Sequence, residues 1–159
     1  MTPVDPEKTL EPGNIEKSLE QYVPNIYKIA NISIEIPFNL DSSNIGPREW
    51  CTIYEMINNK MNSYDGFVII HGTDTLVYTA SALSYLLLDL EKPVILTGSQ
   101  KPLSALRTDA RINLINSIEL STYDIPEVTV CFANKLFRGN RTTKDSIESF
   151  QSFDSPNYP

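Results

Sequence analysis

At 159 residues the chain is long enough for one domain with a core of its own. Its formal charge of −7 argues against the basic face that phosphate binding needs, so nucleic acid is not an expected partner. Two distant cysteines, Cys51 and Cys131, and the single His71 offer no metal-ligand spacing; the cysteines read as buried thiols in a reducing compartment.

In chain order, residues 1–14 carry Pro, Asp and Glu where a signal peptide would be basic and then apolar, and they read as irregular. The longest apolar runs, such as Leu86-Leu87-Leu88, are too short to span a bilayer, so no membrane contact is expected and the expected location is cytoplasmic. Asn14 is a candidate cap for a short helix reaching Glu20 or a little beyond. Ile32-Ser33-Ile34-Glu35-Ile36 alternates apolar with polar as a half-buried strand does, and Asp41-Ser42-Ser43-Asn44 follows as a turn. Pro47 suits the first position of a helix on which Trp50, Ile53, Tyr54 and Ile57 share a face.

Gly66-Phe67-Val68-Ile69-Ile70 is a continuous apolar run, the signature of a buried parallel strand. After the polar turn from His71 to Thr75, Leu76, Ala80, Leu83, Leu87 and Leu90 trace one helix face. Pro93-Val94-Ile95-Leu96-Thr97 is a second such strand, Ile112, Ile115, Ile118 and Leu120 predict a helix, and Val128-Thr129-Val130-Cys131-Phe132 is a third strand. Strands alternating with helices across short joints specify a three-layer α/β fold with a parallel sheet, of the flavodoxin or Rossmann-like kind. Ligands of such sheets bind at the carboxyl ends of the strands, so the polar residues there are the ones to weigh.

Three clusters qualify: Asp41-Ser42-Ser43, then His71-Gly72-Thr73-Asp74-Thr75, then a cationic loop with Lys135, Arg138, Arg141 and Lys144. Each has a plain structural reading, respectively a turn with its cap, a helix N-cap at Asp74 or Thr75, and a solvated charge run. Neither GxxxxGK nor a strand-following GxGxxG is present, which argues against a phosphate loop and a dinucleotide site. The chemical reading is a relay: Asp74 holds Lys144, and Lys144, if kept from water, acts as a base towards Thr73. Such a relay activates a hydroxyl or a water for attack on a carbonyl, with backbone amides near Gly72 and Gly98 placed to stabilise the oxyanion.

Residues 65–75, Asp-Gly-Phe-Val-Ile-Ile-His-Gly-Thr-Asp-Thr, resemble a signature motif of the L-asparaginase family. Residues 92–100, Lys-Pro-Val-Ile-Leu-Thr-Gly-Ser-Gln, residues 138–144, Arg-Gly-Asn-Arg-Thr-Thr-Lys, and Asp41-Ser42-Ser43 with Trp50 resemble its cytosolic type I branch. The resemblance implies that residues 1–159 are the amino-terminal, catalytic domain of such an enzyme. It implies a catalytic set of Thr73, Asp74 and Lys144. It implies a substrate-binding segment at Asp41, Ser42 and Ser43, with Thr73 and Asp74 also touching substrate. The implied reaction converts L-asparagine to L-aspartate and ammonia through a covalent acyl-enzyme. No cofactor and no metal are implied, and the implied assembly is a homo-oligomer, a dimer of dimers.

The family's Thr-Gly-Gly-Thr motif, whose first threonine is usually assigned as nucleophile, does not occur in these 159 residues. Family chains are about twice as long, so the expectation is a domain truncated at both ends. Two other readings stay open: an inactive short form that binds an amino acid or a protein partner, and the amide-donating subunit of a tRNA-dependent amidotransferase.

Overall fold

The computed structural model of the chain describes residues 12–147 and 149–158; most of the stretch expected to be irregular, residues 1–14, lies outside them. Among the described residues, one sheet runs in the order β1 (Phe67–Ile70), β2 (Val94–Thr97), β3 (Val128–Phe132), β4 (Lys135–Arg138). The first three strands are parallel, with Ile69 beside Leu96 and Leu96 beside Val130. Helices α1 (Pro12–Tyr22), α2 (Pro47–Lys60), α3 (Leu76–Leu86) and α4 (Ala110–Leu120) pack on the sheet, and a short antiparallel pair follows, β5 (Thr143–Lys144) with β6 (Phe153–Asp154). The expected three-layer α/β architecture is present, with a mostly parallel rather than wholly parallel sheet.

The pleat divides the apolar residues between two cores. Val94 and Leu96 of β2 and Val128, Val130 and Phe132 of β3 face α2 and α3, where they meet Ile53, Ile57, Leu76, Ala80 and Leu83. On the other face, Leu114 and Ile118 of α4 pack with Leu19 of α1, Val23, Ile26 and Val68. Burial on both faces is why β2 and β3 read as unbroken apolar runs. β1 is the sheet edge and only half-buried, with Ile70 exposed.

Several expectations are corrected. Ile32–Ile36 forms no strand; Ile32 and Ile34 pack against the α1/α4 core from an extended segment that pairs with nothing in the sheet. Alternation reports which side of a segment meets the core, and it carries no information about a neighbouring ladder. The first helix starts at Pro12, two residues before Asn14. On α3 the helix ends at Leu86, and Leu90 reaches the core from the turn beyond it. On α4 the buried stripe is Asn113, Leu114, Ser117 and Ile118, while Ile112 faces out. Polar Asn113 belongs in that stripe because its side chain bonds to the Gly98 carbonyl and to the Ala133 N–H, both at 3.0 Å. Cys131 is buried, but Cys51 is exposed, because it lies off the α2 stripe made by Ile53 and Ile57.

The largest correction concerns the cationic loop. Lys135–Arg138 is a strand, antiparallel to β3, reached through a two-residue corner at Ala133 and Asn134. Both corner residues have positive φ, 50° and 62°, as the tight hairpin turn matching strand twist requires.

Candidate active site

The parallel strands deliver their carboxyl ends to one rim, where residues 71–75 turn from β1 into α3. Gly98, just after β2, abuts this turn: a Cβ there would stand 2.3 Å from the His71 carbonyl oxygen, so a glycine is needed for the two strand ends to approach.

Lys144 reaches the same rim by a long route. From β4 the chain turns through residues 139–142, closed by Arg141 N–H to the Arg138 carbonyl at 3.0 Å and by the Thr142 hydroxyl to the same oxygen at 2.7 Å. Lys144 then pairs with Phe153, whose ring packs edge-on against core Phe132 with centroids 4.8 Å apart. Anchored this way, Lys144 Nζ donates to Asp74 Oδ1 at 2.7 Å and to Thr73 Oγ1 at 3.2 Å. The side chain of Lys144 is 17% exposed and that of Asp74 is 64% exposed, so the amine is mostly shielded while the carboxylate opens to solvent. An ion pair this open adds little to stability. Its consequence is placement, with a hydroxyl, an amine and a carboxylate in one hydrogen-bonded row. A groove of about 440 Å³ opens beside it, lined by Asp74, Tyr78, Ser81, Thr143, Lys144 and Ile147.

The Asp41–Ser43 segment docks on the same turn. Asp41 accepts from the Ser43 N–H at 2.8 Å and the Ser43 hydroxyl at 2.6 Å, which holds its carboxyl below the usual carboxylate range. Ser42 is buried against Gly72, and the Thr75 hydroxyl donates to the Ser42 carbonyl at 2.5 Å. The hydroxyl of Thr75, the residue before α3, therefore bonds across to another segment and does not cap the helix.

Beneath the turn lies His71. Its Nδ1 is 2.7 Å from the Gly72 carbonyl oxygen and its Nε2 is 2.9 Å from Thr79 Oγ1, which also receives the Trp50 indole N–H at 3.0 Å. Burial lowers the His71 pKa, and the bond to the Gly72 carbonyl works in the opposite direction.

A family model described as Asparaginase, N-terminal, matches residues 1–159. The chain belongs to the asparaginase family. Its asparaginase relatives include L-asparaginase 1 of Escherichia coli, 54% identical over 121 residues, which cover 76% of this chain and 36% of that protein. The crystal structure of L-asparaginase I from Vibrio cholerae superposes with a TM-score of 0.85 at 44% identity, covering 92% of this chain and 46% of the other. A glutamyl-tRNA(Gln) amidotransferase subunit of Pyrococcus horikoshii is 44% identical over 120 residues, 75% of this chain and 27% of that protein. The chain thus spans about a third of the length of the curated asparaginase it matches at 54% identity.

Within this asparaginase domain, Thr73, Asp74 and Lys144 meet directly, and Ser42 lies against the turn that carries the first two. Asp41 and Ser43 form the exposed cap of the Ser42 segment. The other cations stay apart: Lys135 lies over the Phe137 ring, Arg138 pairs with Glu127 at 3.0 Å and stacks over Tyr158, and Arg141 is exposed. Sequence reasoning missed the link from Trp50 through Thr79 to His71. Its one signal was Thr79 itself, a polar residue on the apolar stripe shared with Leu76, Ala80 and Leu83. Among the described residues no group of three or more metal-ligating side chains gathers, and no helix is long and apolar enough to cross a membrane.

Proposed function

We propose that this chain carries amide-hydrolysing groups of an L-asparaginase, acting on L-asparagine to give L-aspartate and ammonia. The observation that supports this most is the contact of Lys144 Nζ with both Thr73 Oγ1 and Asp74 Oδ1. In this reading Thr73 presents its hydroxyl, or a water held by it, to the side-chain carbonyl of the substrate. Lys144, in its neutral amine form, takes the proton from the attacking hydroxyl or water and passes it to the departing nitrogen, which leaves as ammonia, and Asp74 keeps the amine in line. The segment Asp41, Ser42 and Ser43, docked beside Gly72, binds the amino-acid end of the substrate, with Thr73 and Asp74 completing that contact. The reaction as proposed uses no cofactor and no metal. We further propose a cytoplasmic protein that works as a homo-oligomer, a dimer of dimers.

Ammonia release from L-asparagine by the protein carrying this chain tests the reading. Thr73→Val and Lys144→Met should each lower kcat by about 10²–10⁴-fold. Turnover at the unmodified level in both variants would reject the relay. The likeness to the Pyrococcus amidotransferase protein supports a second reading, in which the released ammonia serves amidation of a tRNA-bound amino acid. That reading requires amide hydrolysis to depend on a second protein and charged tRNA, and hydrolysis by the protein alone rejects it.

A further inference from the structure

With the His71 ring neutral, the hydrogen bonds below the Thr73 turn have one consistent direction. An indole N–H can only donate, so Trp50 donates to Thr79 Oγ1. A carbonyl can only accept, so the proton on His71 is at Nδ1, donated to the Gly72 oxygen. A neutral ring with its proton at Nδ1 has a lone pair at Nε2, and the Thr79 hydroxyl supplies the proton there. The chain therefore runs Trp50 to Thr79 to His71 to the Gly72 carbonyl, which is half of the peptide whose nitrogen belongs to Thr73.

Two comparisons within the molecule show that this is more than ordinary burial. Helix hydroxyls elsewhere bond back one turn: Thr52 to the Arg48 carbonyl, Ser84 to Ala80, Ser117 to Asn113. The hydroxyl of Thr79, fully buried on α3, instead faces His71 on the neighbouring element. The Gly72 peptide is also confined from its other side, where the Ser42 side chain lies against the Gly72 Cα.

We propose that Trp50, Thr79 and His71 are positioning residues: they fix the plane of the Gly72–Thr73 peptide and so aim the Thr73 hydroxyl at Lys144. The inference rests on the reading of Thr73 as a reacting group, but its structural half can be measured without any turnover.

15N-histidine labelling gives the ring signals of His71, identified by their loss in His71→Gln. Near neutral pH the protein should show the Nδ1–H tautomer, the less favoured form of a solvated imidazole, with an unprotonated Nε2. The Nε2–H tautomer in the unmodified protein would overturn the proposal. Thr79→Val removes the hydroxyl at nearly constant shape, and Thr79→Ser keeps it. The valine variant should release the tautomer preference and move the Thr73 amide resonance, and the serine variant should restore both. An unmoved Thr73 resonance in a folded Thr79→Val protein would overturn the positioning role. With L-asparagine, Thr79→Val should lose about 10–100-fold in kcat with a smaller change in KM, and Thr79→Ser should recover most of it. Unchanged kcat beside an altered tautomer also counts against the proposal. Absence of turnover in the unmodified protein would count against the hydrolase reading, and the tautomer and Thr73 resonance would still decide this one.

Discussion

Ser42 lies so close to Gly72 that a methyl on Gly72 would stand 2.6 Å from its Oγ and 2.8 Å from its Cβ. The bare Cα is what lets the Asp41–Ser43 segment reach the turn carrying Thr73 and Asp74. The Ser42 backbone cannot simply retreat, because its carbonyl is held by the Thr75 hydroxyl.

Gly72→Ala should therefore overpack the junction and destabilise the fold by about 1–3 kcal/mol. Ser42→Gly removes both clashing atoms, so the double variant should recover part of that loss. A double-mutant cycle in urea denaturation reads this as a coupling between the sites. Strict additivity would mean that the two segments do not touch in solution.

His71 should make stability pH-dependent. Its folded-state pKa is lowered from 6.5 by burial, so the native state binds fewer protons than the unfolded one. Its contribution is complete above about 6.5 and is lost as pH falls from there through the folded-state value. Between about pH 7.5 and about pH 5.5 the unfolding free energy should drop more in the unmodified protein than in His71→Gln. The excess slope is limited to about 1.4 kcal/mol per pH unit for one proton. Equal slopes in the two proteins would mean that His71 keeps its ordinary affinity for protons.

Asn113 holds two loops at once, the one after β2 through the Gly98 carbonyl and the β3–β4 corner through the Ala133 N–H. Asn113→Leu has a similar size and leaves the buried Gly98 carbonyl and the part-buried Ala133 N–H without their side-chain partner. A loss of about 2–4 kcal/mol is expected, because each orphaned buried group costs about 1–3 kcal/mol. Thermal or urea unfolding measures it, and a loss below about 1 kcal/mol would show that water or a shifted backbone satisfies these groups.

The sequence disclosed what hydrophobic pattern can encode. β2 and β3 were legible as apolar runs because both their faces are covered, and α2 because Trp50, Ile53, Tyr54 and Ile57 recur at helical spacing. β4 was hidden: Lys-Leu-Phe-Arg neither alternates nor runs apolar, and its corner is built from Ala133 and Asn134 rather than a glycine. The meeting of Asp74 with Lys144 spans 70 positions, which no local pattern reports. It was reached by weighing the polar clusters at the strand ends together and then by motif resemblance, and the structure supplies the distance. The link from Trp50 to His71 escaped because polar contacts inside a core leave almost no periodic trace.

The reversal at Ala133 and Asn134 governs more than the edge of the sheet. Side chains on a strand alternate in direction, so if a residue added to this corner slipped the pairing with β3 by one, the two faces of everything from Lys135 to Arg138 would exchange. The path beyond would start out of phase, and the lysine at its end would arrive rotated away from the carboxylate it now meets. A protein engineer wishing to splice a peptide into this domain should leave that bend untouched, since its tolerance for insertion is set by the contact of Lys144 with Asp74 on a distant stretch of chain.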